Sequence, residues 1–154
     1  MPSTPVATKP VIFSNPQVEL QPSPINPDWI IEGRPVARNT ILSRSEDQTA
    51  CTIVWDCSKG KFNWYYDFDE TVHFIEGSVT IEDGHGPART LGPGDVLFFP
   101  AGSHAVWTVD NYIRKVAFCR KILPAPIGKL IGLLRAIKHK LSPPKDDGSL
   151  MGAN

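Results

Sequence analysis

The sequence predicts an all-β fold, a sandwich or barrel, that is followed by one amphipathic helix. Nine short β-prone runs lie between residues 36 and 119, and turn-forming residues separate them at short intervals. Beyond residue 126 the apolar residues change from the period of a strand to that of a helix. Seven prolines in the first 28 residues exclude a helix at the N-terminus, because each removes a backbone donor and restricts φ.

In chain order, we expect a Pro-rich arm (1–27), one β domain (28–122) and a basic helix with a frayed tail (123–154). Within the arm, the segments VIFSN and QVEL are predicted to add short edge strands, where proline is tolerated. The runs of the β domain are VARNTIL, ACTIVWD, KFNWYY, ETVHFIE, SVTIED, ARTL, VLFF, HAVWTV and RKVAFC.

Turn signals lie between these runs. The pairs Glu76-Gly77 and Asp83-Gly84 are typical of hairpin turns, and Gly-Pro-Gly-Asp at 92–95 indicates a tight corner. After the last strand, IGKLIGLLRAIKHKL (127–141) places its apolar residues on one helical face, and a Pro-Pro pair at 143–144 is expected to end the helix.

Cysteine content and hydropathy limit the class of protein. The three cysteines, Cys51, Cys57 and Cys119, include no CxxC pair, which argues against a disulfide framework and a structural zinc site. No apolar run approaches the ~20 residues that span a bilayer, and MPSTPVATKP lacks the apolar segment of a signal peptide. We therefore expect a soluble, cytoplasmic protein.

Charge is distributed unevenly although the chain is neutral overall. Residues 28–118 carry 8 Lys/Arg and 13 Asp/Glu, whereas residues 120–145 carry 7 Lys/Arg and no acid. The acidic body argues against a nucleic-acid partner, because phosphate binding needs clustered Lys and Arg on the folded surface.

Two stretches of the β domain resemble the cupin superfamily. Its first motif is G, five residues, HxH, three or four residues, E, six residues, G, and Glu70 and Gly77 have this separation. Its second motif is G, five residues, PxG, two residues, H, which Gly94, Pro100 and Gly102 match. The resemblance implies a jelly-roll β-sandwich or barrel over residues 28–122.

The run from Trp55 to Glu70 is similar to the ureidoglycine aminohydrolase-like (Cupin 3) group of single-domain cupins. This resemblance implies a nitrogenous substrate such as a ureido or amino acid, a divalent metal (Mn, Fe, Ni or Zn) as the cofactor, and a homodimer.

The histidines of the motifs are replaced. The HxH positions hold Trp64 and Tyr66 with a spacer of three residues, or Asn63 and Tyr65 with a spacer of four, and the last histidine position holds Ala105. Catalytic zinc and iron usually take three protein ligands, so we expect no tightly held metal and no cofactor.

His104 precedes the last histidine position of the motif by one residue. Successive strand residues face opposite sides, so its side chain is expected to point away from that of its neighbour unless the turn bends. If a metal is bound, Glu70 and His104 are the candidate ligands.

Strand alternation predicts a pocket in which aromatic rings surround one carboxylate. We expect Glu70 and Tyr66 to be the catalytic residues. The candidate ligand-binding residues are Trp64, Trp107, His104 and Phe74. A buried carboxylate needs a partner, and the candidates are the Tyr66 hydroxyl, Arg38, Arg44 or a cationic substrate.

Three functions remain open at this point. The first is binding of a small polar, nitrogenous metabolite, with or without acid–base chemistry by Glu70 and Tyr66. The second is a metal-dependent enzyme of the ureidoglycine aminohydrolase type. The third is a non-catalytic dimeric binding or interaction module, in which the aromatic rings only fill the barrel.

The C-terminal helix also has three interpretations. Its apolar face could pack on its own acidic β domain or on a partner subunit, contact a membrane surface through residues 127–141, or dock on a different protein.

Overall fold

The computed structural model describes residues 8–141, and it confirms an all-β domain with a C-terminal helix. A 3₁₀ turn at Pro27–Trp29 interrupts the first strands. The strands are β1 (Gln21–Pro22), β2 (Ile30–Gly33), β3 (Ala37–Arg44), β4 (Ala50–Tyr65), β5 (Asp69–Gly77), β6 (Val79–Glu82), β7 (Arg89–Leu91), β8 (Val96–Phe99) and β9 (His104–Arg120), and the helix is α1 (Ala125–Leu141).

Two long strands, β4 and β9, hold the fold together. The first half of β4 pairs with the second half of β9, from Ala50 opposite Arg120 to Ser58 opposite Tyr112. After a register shift, the second half of β4 pairs with the first half of β9, ending with Tyr65 opposite His104. Each long strand therefore takes part in two layers.

The other strands extend these layers by antiparallel pairing. One layer has the order β1-β3-β4-β9-β5-β8, and the other adds β2 to β4, β6 to β9 and β7 to β6. The edge strands β7 and β8 follow each other in the chain and belong to different layers. The segment 92–95 joins them as the predicted corner, in which the amide of Asp95 donates to the carbonyl of Gly92 at 3.0 Å.

Nine runs were expected after residue 36, but four of them merge into two strands. ACTIVWD and KFNWYY are both parts of β4, and HAVWTV and RKVAFC are both parts of β9. In β4 the chain bends without ending, at the register shift between Ser58 and Gly60. Gly60 is required there, because a Cβ would lie 2.7 Å from the ring of Pro35.

Two turn predictions need correction. Glu76-Gly77 is not a hairpin turn, because β5 and β6 do not pair with each other and both pair with β9. Gly77 has φ +79°, and a Cβ on it would lie 2.0 Å from the carbonyl oxygen of Tyr112. Asp83-Gly84 does lie in the hairpin between β6 and β7, although the loop is longer than two residues.

The predicted edge strands VIFSN and QVEL are wrong. No residue from Val11 to Leu20 is in a strand, since a turn forms at Asn15–Val18, and the short edge strand is Gln21–Pro22 instead. The segment is nevertheless bound to the β domain: Leu20 is buried, and Arg114 donates to the carbonyls of Pro16 and Val18 at 2.7 and 3.1 Å.

The compact unit that contains the strands ends at Ile122, and a second unit begins at Leu123. Helix α1 starts two residues earlier than predicted, with proline in its first turn, a position where the missing amide costs nothing. The Pro-Pro stop signal and the frayed tail lie outside the described residues. None of the helices in residues 8–141 combines the length and apolar character needed to cross a bilayer.

Candidate functional site

The interior of the β domain brings together most of the predicted site residues. Tyr66, Glu70, Phe74 and Trp107 are buried, and Trp64 is partly buried against the same core. They come from β4, β5 and β9 and from the residue that follows β4. Because alternate residues of each strand face inward, these side chains form one continuous aromatic interior around a single carboxylate.

The partner of Glu70 is Lys115, a residue that the sequence analysis did not select. The Lys115 ammonium donates a hydrogen bond to Oε1 of Glu70 and forms an ion pair with it. The two residues are only 2% and 3% exposed. Burying either charge alone would be costly, so the Glu70 carboxylate and the Lys115 ammonium each need the other to remain charged in the interior.

The alternation of inward and outward residues in β9 predicts that Lys115 faces the interior. The inward row of β9 runs through Ile113, Lys115 and Ala117, so a strict reading of alternation places the lysine inside. The two arginine partners are wrong: Arg38 instead donates to Asp56 at 3.0 Å, and Arg44 is exposed.

Three tryptophans surround the Lys115 ammonium. Its Nζ atom lies 5.1 Å from the ring centroid of Trp55, 5.9 Å from that of Trp64 and 4.8 Å from that of Trp107. Indole faces attract cations within about 6 Å, and the attraction is stronger in a desolvated site. The interior therefore already holds a cation, bound by one carboxylate and three indole rings.

Tyr66 is buried in the same interior as this pair. Its hydroxyl accepts a hydrogen bond from Nε1 of Trp107 at 3.1 Å, and its ring stacks on Phe99 at 4.3 Å. Burial, reinforced by the charge of Glu70, raises the pKa of Tyr66 well above its usual value. The phenol is thus a neutral group at physiological pH.

His104 does not join this group. It is exposed on the outer face, where its Nε2 lies 2.8 Å from Oδ1 of Asn63 and its ring stacks on Tyr65 at 4.5 Å. The one-residue offset keeps this histidine outside, as alternation predicts, while Ala105 faces inward. The structure therefore brings together all the predicted site residues except His104.

Two of the cavities beside the β domain, within residues 8–141, are of ligand size, and neither contains the Glu70–Lys115 pair. The larger, about 500 Å³, lies between edge strands β7 and β8. Its lining includes Phe99, Arg89, Ser103 and His104, so the histidine that stays out of the interior faces this cavity instead. The Oγ atom of Ser103 is buried and has no hydrogen-bond partner among the described residues. The smaller, about 400 Å³, is an open depression on the outer face beside Phe98 and Phe118.

The comparisons with known proteins agree with this architecture. Residues 44–117 match the EutQ-like cupin domain family. The fold also resembles a cupin-like protein from Thermotoga maritima, with a TM-score of 0.56, 15% identity, and coverage of 69% of this chain and 81% of that chain. The chain is therefore a cupin-fold protein that is similar to the EutQ-like cupin domain family over residues 44–117.

Two further solved structures resemble this cupin. A protein of unknown function in the DUF861 family from Pseudomonas syringae pathovar tomato is 27% identical, with a TM-score of 0.63 over 68% of this chain and 46% of that chain. KdgF from a Halomonas species is 14% identical, with a TM-score of 0.52 over 73% of this chain and 96% of that chain. The cupin thus spans less than half of the Pseudomonas protein. A comparison with curated proteins gave no match.

Many cupins bind metals, and a protein metal site usually needs at least three donor side chains. Residues 8–141 contain no group of three His, Cys, Asp or Glu side chains that could hold an ion. At the histidine positions of the motifs, this cupin has Trp64 and Tyr66, or Asn63 and Tyr65, and then Ala105. The Lys115 ammonium already binds the Glu70 carboxylate. An ammonium repels a divalent cation, so these residues do not fit a metal.

Proposed function

We propose that this cupin binds a small polar, nitrogen-bearing metabolite in the cavity between β7 and β8. The observation that carries the proposal is the position of Phe99. Its side chain lines that cavity and also stacks on Tyr66 at 4.3 Å, next to the Glu70–Lys115 pair. One ring therefore connects an accessible, ligand-sized cavity with the charged interior.

The polar residues that line the cavity suggest the chemistry of the ligand. Arg89 is exposed and forms no ion pair within residues 8–141, so its guanidinium is available for a carboxylate. Asp83 and Asp95 line the same cavity and can accept from amino or ureido N–H groups. Ser103 Oγ, buried without a partner, would gain one from a polar ligand. These groups fit a small amino or ureido acid.

A second candidate function is acid–base chemistry at the interior pair. Glu70 cannot act as the isolated base that the sequence suggested, because Lys115 donates to it. Glu70, Lys115 and the neutral Tyr66 phenol are three proton-bearing groups in one buried interior, and buried titratable groups of this kind are common at catalytic centres. This chemistry requires Phe99 to move aside when the ligand binds.

Calorimetric titration with a panel of small amino and ureido acids tests the binding proposal. We expect saturable binding by the wild-type chain and a 10- to 100-fold weaker Kd for Arg89→Gln, since a hydrogen bond to a charged group contributes about 1.5–3 kcal/mol. Lys59→Gln, an exposed lysine outside the cavity, is the matched control and should bind like the wild type. Absence of binding across the panel, or equal Kd values for both variants, would refute the proposal.

Product analysis then separates a binding protein from an enzyme. If the wild type turns over the ligand, and Glu70→Gln abolishes turnover without changing the Kd, the protein uses acid–base chemistry. If the wild type binds the ligand without turnover, a sensing or carrier role is favoured. A homodimer without ligand binding would favour the interaction module. Near-stoichiometric Mn, Fe, Ni or Zn in protein purified without chelators would overturn the metal-free interpretation.

A further inference from the structure

The C-terminal helix carries an exposed apolar face. Five aliphatic side chains of α1 (Ala125–Leu141) are 46% to 60% exposed. They are Ile127, Leu130, Leu133, Leu134 and Ile137. At about 100° per residue, they fall together with Ile131 in a sector of roughly 160°. A continuous aliphatic stripe of this width on a helix normally faces an apolar surface.

The rest of the helix is basic. Lys129 and Arg135 lie outside the apolar sector, and Lys138 lies inside it, about 20° from the boundary at Ile131, where a long side chain can extend to a polar layer. Residues 120–145 contain seven Lys/Arg and no acid. Any surface that covers this helix should therefore be apolar in its interior and negatively charged at its boundary.

We propose that α1 docks on an anionic lipid surface, with its aliphatic face among the acyl chains and its basic residues at the headgroups. A basic helix with a separate aliphatic face is the type that lies in the plane of a membrane interface. The 17 described residues of α1 include four Lys or Arg, and among the described residues α1 lacks the combination of length and apolar character that a bilayer-crossing helix needs.

The charge distribution of the chain favours lipid as the occupant. Residues 28–118 carry a net charge of −5 (8 basic against 13 acidic residues). Anionic lipids repel this part of the chain and attract the helix, so the charge distribution orients the protein on the surface.

Vesicle co-sedimentation of the full chain tests this proposal. The probes are phosphatidylcholine vesicles and vesicles in which about one third of the lipid is phosphatidylglycerol. We expect binding only to the anionic vesicles. It should weaken at high salt, since the Debye length falls from ~10 Å at 0.1 M to ~3 Å at 1 M.

A pair of variants separates the apolar face from charge alone. Leu134→Glu and Ala136→Glu add the same charge two residues apart, on the apolar and the opposite face respectively. We expect Leu134→Glu to weaken binding about 100-fold or more, because it removes an aliphatic contact as well, and Ala136→Glu only about fivefold. Circular dichroism should show equal helix content in both variants.

Equal loss of affinity in the two variants would overturn the proposal, as would equal binding to both kinds of vesicle or no binding to either. A dimer that Leu134→Glu converts to a monomer, in a protein that does not bind vesicles, would assign the apolar face to a second copy of the chain instead. Multi-angle light scattering on the same samples measures that outcome.

Discussion

Replacing Lys115 by methionine tests whether the interior of this cupin depends on one ion pair. The substitution keeps the length of the side chain but leaves the Glu70 carboxylate without a partner at 2% exposure. Removing one member of a buried pair typically costs about 3–5 kcal/mol. This is a large part of the 5–15 kcal/mol that a domain has in total.

The structure predicts an asymmetry between the two partners. Glu70→Gln leaves the ammonium without its carboxylate, but three indole centroids remain within 5.9 Å of Nζ. Each cation–π contact contributes up to about 2 kcal/mol in a desolvated site. We therefore expect Glu70→Gln to lower the free energy of unfolding by about 2–3 kcal/mol, less than Lys115→Met does.

Urea unfolding followed by tryptophan fluorescence measures these losses, since the rings beside Lys115 report on the interior. With an m-value of about 2 kcal/mol/M, a loss of 4 kcal/mol lowers the midpoint by about 2 M. The double variant should lose at least about 2 kcal/mol less than the sum of the single losses, because no unpaired charge remains. Lys121→Met, at an exposed lysine, should change stability by no more than about 0.5 kcal/mol.

Additive losses, or a loss below about 1 kcal/mol for Lys115→Met, would refute the buried ion pair. If Lys115→Met does not fold, the reasoning still requires the double variant to fold and to have a stability within about 2 kcal/mol of that of Glu70→Gln.

Two further predictions concern the backbone and the pH range. Gly77→Ala should lower the free energy of unfolding by at least about 3 kcal/mol, because it combines left-handed φ with a backbone clash. Gly84→Ala, at φ +78° in open space, should lower it by only about 1 kcal/mol. Similar melting temperatures for the two variants would contradict this prediction. The raised pKa of Tyr66 contributes stability that is fully present below pH ~10 and is lost as the pH rises further, because the folded state holds the proton more tightly. Tyr66→Phe should therefore show a shallower alkaline decline in stability than the exposed-site control Tyr65→Phe, and parallel pH curves would contradict it.

The sequence alone was sufficient for the fold class and for most of the interior. Period-2 alternation placed Trp64, Tyr66, Glu70 and Trp107 on inward rows, and the structure brings them together. The same rule placed His104 outside, and the structure agrees. These predictions succeeded because the side a strand residue faces is a local property of the backbone.

The pairing of distant strands, and the side-chain contacts that follow from it, could be read only from the tertiary structure. Glu70 meets Lys115 because β5 lies beside the second half of β9, and 45 residues separate the two in the chain. Local alternation does not state which strands become neighbours, nor that β4 and β9 each continue through a bend into both layers. The sequence by itself determined an all-β cupin with an inward carboxylate. Only the packing of the sheets decided that a lysine, enclosed by indole rings, neutralises it, since pairing between distant strands depends on the fit of the whole core.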